Sequence, residues 1–365
     1  MEQNQKIQLF ESMPIPKAVA QLSIPMVFSS LVMVLYNMAD TYFVGMLNDP
    51  VQNAAVALAA PVLLAFNAVN NLFGVGTSSM MSRAMGRKDY NTVEESSAFG
   101  FYCALVSGII FGILCTVFGS PLLTLIGADE TTRAATQGYM FWTVSLGAAP
   151  AIVNVVMAYL VRSEGASLHA SIGTMSGCIL NIILDPIFIL PWGLDMGAAG
   201  AGCATFISNC AACLYFFVLL YVKRGKTFVC VNPKRFHFKK AIAAEICSVG
   251  IPASIQNLLN VTGMTILNNF TSVYGADAVA AMGISYKIYM VPMQITLGFS
   301  QGIMPLVSYT FSSGNRRRMK DTILFAMKIM LPILAAVTVL YNIGAGGIVR
   351  AFMDNEAIVS YGAAF

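Results

Sequence analysis

Apolar runs, each long enough to cross a lipid bilayer, follow one another along most of this chain. They lie near 19–44, 54–80, 98–118, 139–161, 172–190, 198–222, 248–273, 278–310 and 323–345, and a tenth begins near Ala357. About 20 apolar residues in a helix cross the hydrocarbon core. The runs are continuous, not alternating, which excludes the strands of a membrane barrel. Backbone polar groups in lipid must be satisfied within their own segment, so helices remain. Composition agrees: 57% of the 365 residues are hydrophobic and 10% charged, against about 25% charged in soluble domains. A mean hydropathy of +0.71 says the same. A soluble enzyme, a nucleic-acid binder and a disordered chain are excluded. The expected fold class is an all-α polytopic membrane protein with about ten helices.

The basic residues orient these helices. Lys6 and Lys17 precede the first run, and Arg83, Arg87 and Lys88 follow the second. Arg162 follows the fourth, read here as a loop residue. Lys223, Arg224, Lys226, Lys234, Arg235, Lys239 and Lys240 follow the sixth; Arg316, Arg317, Arg318 and Lys320 follow the eighth. That places 17 of the 21 Lys and Arg on one side, expected to be the cytoplasm together with the N-terminus. No cleavable signal precedes the first run, which serves as an uncleaved insertion signal. Cys210 and Cys213 form a CxxC inside an apolar run, with no second pair or His cluster, and read as packing residues. His169 and His237 are assigned to loops and given no role. The cysteines and histidines are not expected to form a metal centre, and no cofactor or catalytic group is expected.

The chain also resembles itself at an offset near 227. Ser23-Ile24-Pro25 matches Gly250-Ile251-Pro252, Met85-Gly86-Arg87-Lys88 matches Ser313-Gly314-Asn315-Arg316, and Gly127-Ala128-Asp129-Glu130 matches Met353-Asp354-Asn355-Glu356. A duplicated unit of six helices keeps its membrane orientation, so the halves are related by a pseudo-two-fold axis along the membrane normal. Residues 1–222 form an N-lobe of six helices, 223–245 a basic cytoplasmic linker, and 246–365 an incomplete C-lobe of three to four helices. The expectation is a fragment of a twelve-helix protein.

Ionisable groups at bilayer depth are costly and functional by default. Asp40 lies toward the far end of the first helix, with Tyr36 and Asn37 one turn before it on the same face. Asp185 follows Asn181 by one turn in the fifth helix and precedes Pro186; it either sits at depth or ends the helix near water. Lys287 lies in the eighth. Asn181 and Asp185 supply the oxygen ligands that a hard cation such as Na+ prefers, and Thr205 and Asn154 can complete the shell. Two buried carboxylates can equally share a proton. Amide stripes add to this: Asn67, Asn70 and Asn71; Gln256, Asn257 and Asn260; and Lys287, Gln294 and Gln301. They read either as the wall of a wet cavity or as interhelical hydrogen bonding. Pro25, Pro61, Pro252, Pro292 and Pro305 interrupt spans, as hinges or as static kinks.

These features resemble the multidrug and toxic compound extrusion (MATE) family, and within it the DinF-like branch. The resemblance runs over essentially the whole chain. It is carried by Asp40-Thr41-Tyr42-Phe43-Val44-Gly45, Ser82-Arg83-Ala84-Met85-Gly86, Asn181 to Pro186, and Gly197-Ala198-Ala199-Gly200-Ala201-Gly202. It implies two six-helix lobes in a V, in the plasma (inner) membrane. It implies export of organic cations and amphiphilic drugs, driven by inward Na+ or H+. By the resemblance, Asp40, Asn181, Asp185 and Thr205 match the cation site, Tyr139 and Asn154 match neighbouring cavity positions, and Pro25 matches the bend in the first helix. One branch of the family has a carboxylate on the seventh helix, where this chain reads Gln256-Asn257. Expected partners are small organic cations and membrane lipid, with no nucleic acid; the protein is expected to act as a monomer.

The competing reading is a flippase for lipid-linked oligosaccharides or cell-wall precursors, which needs cations to hold pyrophosphate; Lys287 is the one candidate. An intramembrane aspartyl protease lacks its Tyr-Asp and Gly-x-Gly-Asp motifs here. A channel sits poorly with duplicated halves around a midplane site.

Overall fold

The computed structural model describes residues 2–274, 276–352 and 359, and among them there is no strand. The helices are α1 (Glu2–Glu11), α2 (Ile15–Gly45), α3 (Pro50–Asn70), α4 (Gly76–Gly86), α5 (Tyr90–Val117), α6 (Gly119–Leu125), α7 (Arg133–Met140), α8 (Ala148–Ser163), α9 (Ser167–Ile189), α10 (Gly197–Val222), α11 (Lys240–Ser272), α12 (Ala276–Ser312) and α13 (Arg316–Phe352). Their starts follow local chemistry. Asp49 caps α3, its carboxylate accepting from Val51 N at 2.9 Å, and Pro50 opens the first turn. Asp89 caps α5, accepting from Thr92 N at 3.1 Å and Thr92 Oγ1 at 2.6 Å. Gly165 turns the chain between α8 and α9 at φ +85°, a conformation open to glycine without Cβ strain.

Seven helices are long and apolar enough to cross a membrane, and α7 with α8 makes an eighth, bent by 50°. A π turn at Phe141–Leu146 joins that pair. Pro150 follows closely and cannot donate to Leu146, so the bend has a covalent cause. A second π turn, Asn71–Val75, links α3 and α4 into one span. The 37-residue α12 is not among the eight. Its amides and prolines dilute the run expected at 278–310, although the helix itself forms. The tenth run, near Ala357, lies outside the described residues.

Three further expectations change. His169 belongs to the first turn of α9, not to a loop, with Nδ1 3.4 Å from the Tyr215 hydroxyl. Arg162 is the penultimate residue of α8 and is buried. The linker ends earlier than expected, because α11 begins at Lys240. That linker packs back on the first half: Tyr102 Oη donates to Val231 O at 2.8 Å, and Lys239 pairs with Glu95 at 2.6 Å.

The first ten helices precede the linker and α11–α13 follow it, and the two groups are called here the first and second halves of the chain. α2 and α12 make the most extensive helix pair. Their contact needs small residues: a Cβ on Gly302 would lie 2.6 Å from Ser23 Cα, and one on Gly298 2.9 Å from Met26 O. Ser23 Oγ donates to Phe299 O (3.2 Å) and Ser254 Oγ to Ala68 O (2.7 Å). Arg83 pairs with Glu245 at 3.4 Å. These contacts cluster toward the end that carries α1 and the linker, called here the basic end. Toward the opposite end, Leu35, Met38 and Tyr42 of α2 are exposed.

Candidate functional site

Six of the expected residues meet in the first half, toward the end opposite α1. Tyr36 and Asp40 come from α2, Tyr139 from α7, Asn181 and Asp185 from α9, and Thr205 from α10. α10 comes this close to α7 because Gly202 has no side chain: its Cβ would stand 2.9 Å from Tyr139 O. Thr205 follows three residues later on nearly the same face. Asp185 has no exposed surface and Asn181 is 2% exposed. Asp185 is therefore buried in protein and not wetted, one turn before α9 ends at Ile189. Pro186 removes one backbone donor beside it without ending α9, which runs on to Ile189.

The amide of Asn181 decides how this site is wired. One orientation has Nδ2 donating to Thr205 Oγ1 at 3.2 Å and turns the amide oxygen toward Asp185. The other donates from Nδ2 to Asp185 Oδ2 at 2.9 Å and accepts from Thr205 N at 3.0 Å and Thr205 Oγ1 at 3.2 Å. The second is the better chemistry for an ionised Asp185, which needs a donor and repels an amide oxygen. The Tyr36 side chain lies beside that of Thr205. Asp40 acts electrostatically on Tyr36, Tyr139 and Asp185, so both carboxylates belong to one cluster. Every donor here is oxygen apart from one amide nitrogen. That set suits Na+ or a proton and does not suit a transition metal. Among the described residues, no three His, Cys, Asp or Glu are grouped to hold a metal.

Other expected residues stand elsewhere. Asn37 is exposed, and its Nδ2 donates to Met33 O at 3.0 Å in its own helix. Asn67 is exposed, while Asn70 is buried and its Oδ1 has no partner among the described residues. Asn154 Nδ2 donates to Asn209 Oδ1 at 3.2 Å, and its own Oδ1 is likewise unpartnered. Gln256 and Lys287 are exposed, and Asn257 and Gln294 half-buried, on α11 and α12. These four belong to the other half of the molecule and make none of the contacts that hold Asp40 and Asp185. Pro25 is half-buried in the stretch of α2 that packs on α12.

Two polar contacts went unread in the sequence. Asn209 lies one turn beyond Thr205 on α10, so its i, i+4 spacing was the available signal. Arg162 is 4% exposed; its Nη1 donates to Gln301 Oε1 at 2.8 Å, and its guanidinium lies 4.6 Å over the Tyr159 ring. Gln301, read as either cavity wall or interhelical hydrogen bonding, makes a contact of the second kind, between the halves. A charge at the end of an apolar run looks like a topology marker, and only packing reveals that it points inward.

The comparisons agree with this architecture. A family model described as MatE matches residues 25–187 and again 252–365, two matches whose starts are 227 residues apart. The multidrug export protein MepA of Staphylococcus aureus (strain MRSA252) is 34% identical over 358 residues, covering 98% of this chain and 78% of the relative. A solved multidrug resistance MATE family transporter of the MOP superfamily, in an outward-facing conformation, superposes with a TM-score of 0.91 at 28% identity. It covers 99% of this chain and 79% of that one. A MOP superfamily transporter from Pyrococcus furiosus, whose binding pocket is described as reversed in polarity and as suggesting a different function, superposes at 0.89 with 28% identity, covering 99% and 79%.

Proposed function

The chain belongs to the MatE family, and from that premise we propose that it exports organic cations and amphiphilic drugs in exchange for inward Na+ or H+. One observation carries this reading: Asp40, in the oxygen-rich cluster, and Ser23, in the contact between the halves, are on the same helix, α2. Seventeen residues of helix rise separate them, roughly 25 Å. Pro25 breaks the hydrogen-bond ladder between them. A change in the charge or ligation of Asp40 therefore has a mechanical route to the interface. The basic end is the cytoplasmic side of the inner membrane by the positive-inside rule. The halves then close toward the cytoplasm and part toward the outside.

The cycle follows from differential affinity, since a ligand shifts an equilibrium only as far as it prefers one state. A cation or proton entering at Asp40 and Asp185 neutralises the cluster and favours the α2 shape of one state. A drug cation favours the state in which those carboxylates are free to attract it. Na+ ligation by Asn181 requires its amide to turn, because the oxygen faces Thr205 while the nitrogen bonds Asp185. A single chain carries the whole cluster in its first half, so a monomer suffices. The flippase reading needs buried cations along the path. The buried Arg162 is engaged by Gln301 and Tyr159 at the closed end, and Lys287 is exposed.

The test is cationic-dye transport in everted vesicles, with Na+ and pH gradients imposed separately, on wild type and Asp40→Asn. Transport that follows one gradient and disappears in the variant identifies the ion. No dye movement under either gradient, with folded protein present, overturns drug antiport in favour of the flippase reading.

A further inference from the structure

The segment before the first span is polar and carries no cleavable signal. It is a helix lying across both halves at the basic end. Toward the first half, Lys6 Nζ meets Glu164 Oε1 at 2.6 Å and Lys226 O at 3.2 Å. Glu164 is 4% exposed at its side chain and also accepts from Thr227 Oγ1 (3.0 Å) and Phe228 N (2.7 Å). Toward the second half, Phe10 is fully buried and stacks on Tyr309 with centroids 4.9 Å apart. Tyr309 Oη donates to Glu11 Oε1 at 2.9 Å. Arg318 donates to three backbone carbonyls: Phe10 O at 2.6 Å, Met13 O at 2.6 Å and Leu9 O at 3.2 Å. The last carbonyls of a helix have no partner within it, and a guanidinium there both caps them and complements the helix dipole.

We propose that α1 is a releasable strap that holds the basic end closed. It is joined covalently to α2 by three residues and is held by side-chain contacts to α12 and α13 of the other half. Parting the halves at this end therefore requires one set of contacts to break. The Arg318, Tyr309 and Phe10 set is the larger, with three charge-assisted bonds, a hydroxyl bond and a buried ring. Toward the first half stand the Lys6–Glu164 pair, the exposed Lys88–Glu11 pair at 3.6 Å, and Leu9 and Phe10 beside Gly165, with fewer charge-assisted hydrogen bonds. When the basic end opens, Lys6 leaves Glu164 first, and the Arg318 set governs how far the halves separate. The strap thus sets the balance between the two states, separately from the ion and drug site. The inference rests on the alternating-access reading above.

The test uses the full chain with its native cysteines replaced and one reporter, Ser23→Cys, buried between α2 and α12. Labelling by a polar maleimide is timed in lipid nanodiscs, with and without a dye cation and across Na+ concentrations and pH. Lys6→Ala is expected to label about fivefold faster or more, because it leaves the buried Glu164 carboxylate without its cation. Arg318→Ala is expected to label about tenfold faster or more, from loss of charged hydrogen bonds. Lys6→Arg should keep the slow rate. If both alanine variants label at the parental rate while dye or ion still changes that rate, the strap is overturned and alternating access stands. If nothing changes the parental rate, both fall. Should Arg318→Ala not fold, Lys6→Ala, which removes only a partly exposed side chain, decides the matter.

Discussion

Asn181 shows how much one side-chain amide controls. With its nitrogen on Asp185 and its oxygen on Thr205, it holds a buried carboxylate as an acceptor and ties α9 to α10. Removing it leaves Asp185 without that donor. Asn181→Ala is expected to cost about 1–3 kcal/mol, the price of an unsatisfied buried polar group, read as a lower midpoint of thermal unfolding in detergent. The ion itself supplies a second residue-scale prediction. If Na+ is the coupling ion, it should raise the melting temperature of wild type and leave Asp40→Asn unmoved. At a hundredfold over its dissociation constant the gain is about 2.7 kcal/mol. A wild-type melting temperature insensitive to Na+ but dependent on pH would assign the site to protons.

At the scale of elements, helix starts and bends carry the predictions. Asp129 sits between α6 and α7, where it accepts from Thr131 N (3.1 Å), Thr131 Oγ1 (2.8 Å), Thr132 N (2.8 Å) and Thr132 Oγ1 (2.8 Å). These bonds hold its carboxyl down at about 2. The unfolded value is about 3.9. Its contribution is therefore complete above about pH 4 and is lost as pH falls through about 2. Protection of the Thr131 to Arg133 amides, corrected for the intrinsic pH dependence of exchange, should fall over that window, and Asp129→Ala should abolish that fall. Asp89 is also held low, chiefly by its bonds from Thr92. Asp89→Ala should cost about 1 kcal/mol, as for other N-cap losses, measured by thermal unfolding. Pro25→Ala restores a backbone donor inside α2. If the break in that ladder is a working hinge, efflux slows while the melting temperature holds or rises; unchanged efflux would make it a static kink.

At the scale of the whole molecule, the halves approach where small residues allow it. Gly302→Val would drive a side chain into Ser23 Cα, which is backbone and cannot yield. The expected result is a basic end that no longer closes, seen as loss of efflux with the protein still membrane-inserted and monodisperse. A variant with full efflux would show that this contact does not form in the transport cycle. Gln301 and Arg162 belong to the same interface, which is why Arg162 did not behave as its sequence context suggested.

Much of this architecture was legible because the bilayer imposes lengths that a sequence must declare. Spans of apolar residues and a repeat offset of 227 are local or additive signals, and each has its counterpart in the helices or in the doubled family match. Asp40, Asn181 and Asp185 stood out for the same reason: polar groups inside apolar runs are conspicuous. What no run or spacing could reveal was direction and partnership. Whether Arg162 faces a loop or the interior, whether Asp185 is wet or buried, and whether α1 is a lead-in or a strap depend on which helices lie beside them. The chain by itself determined that it crosses a membrane several times as helices, and which groups would be costly there. Tertiary packing alone decided which of those groups meet, because contact between residues 139 or 158 positions apart is a property of the fold and not of any segment.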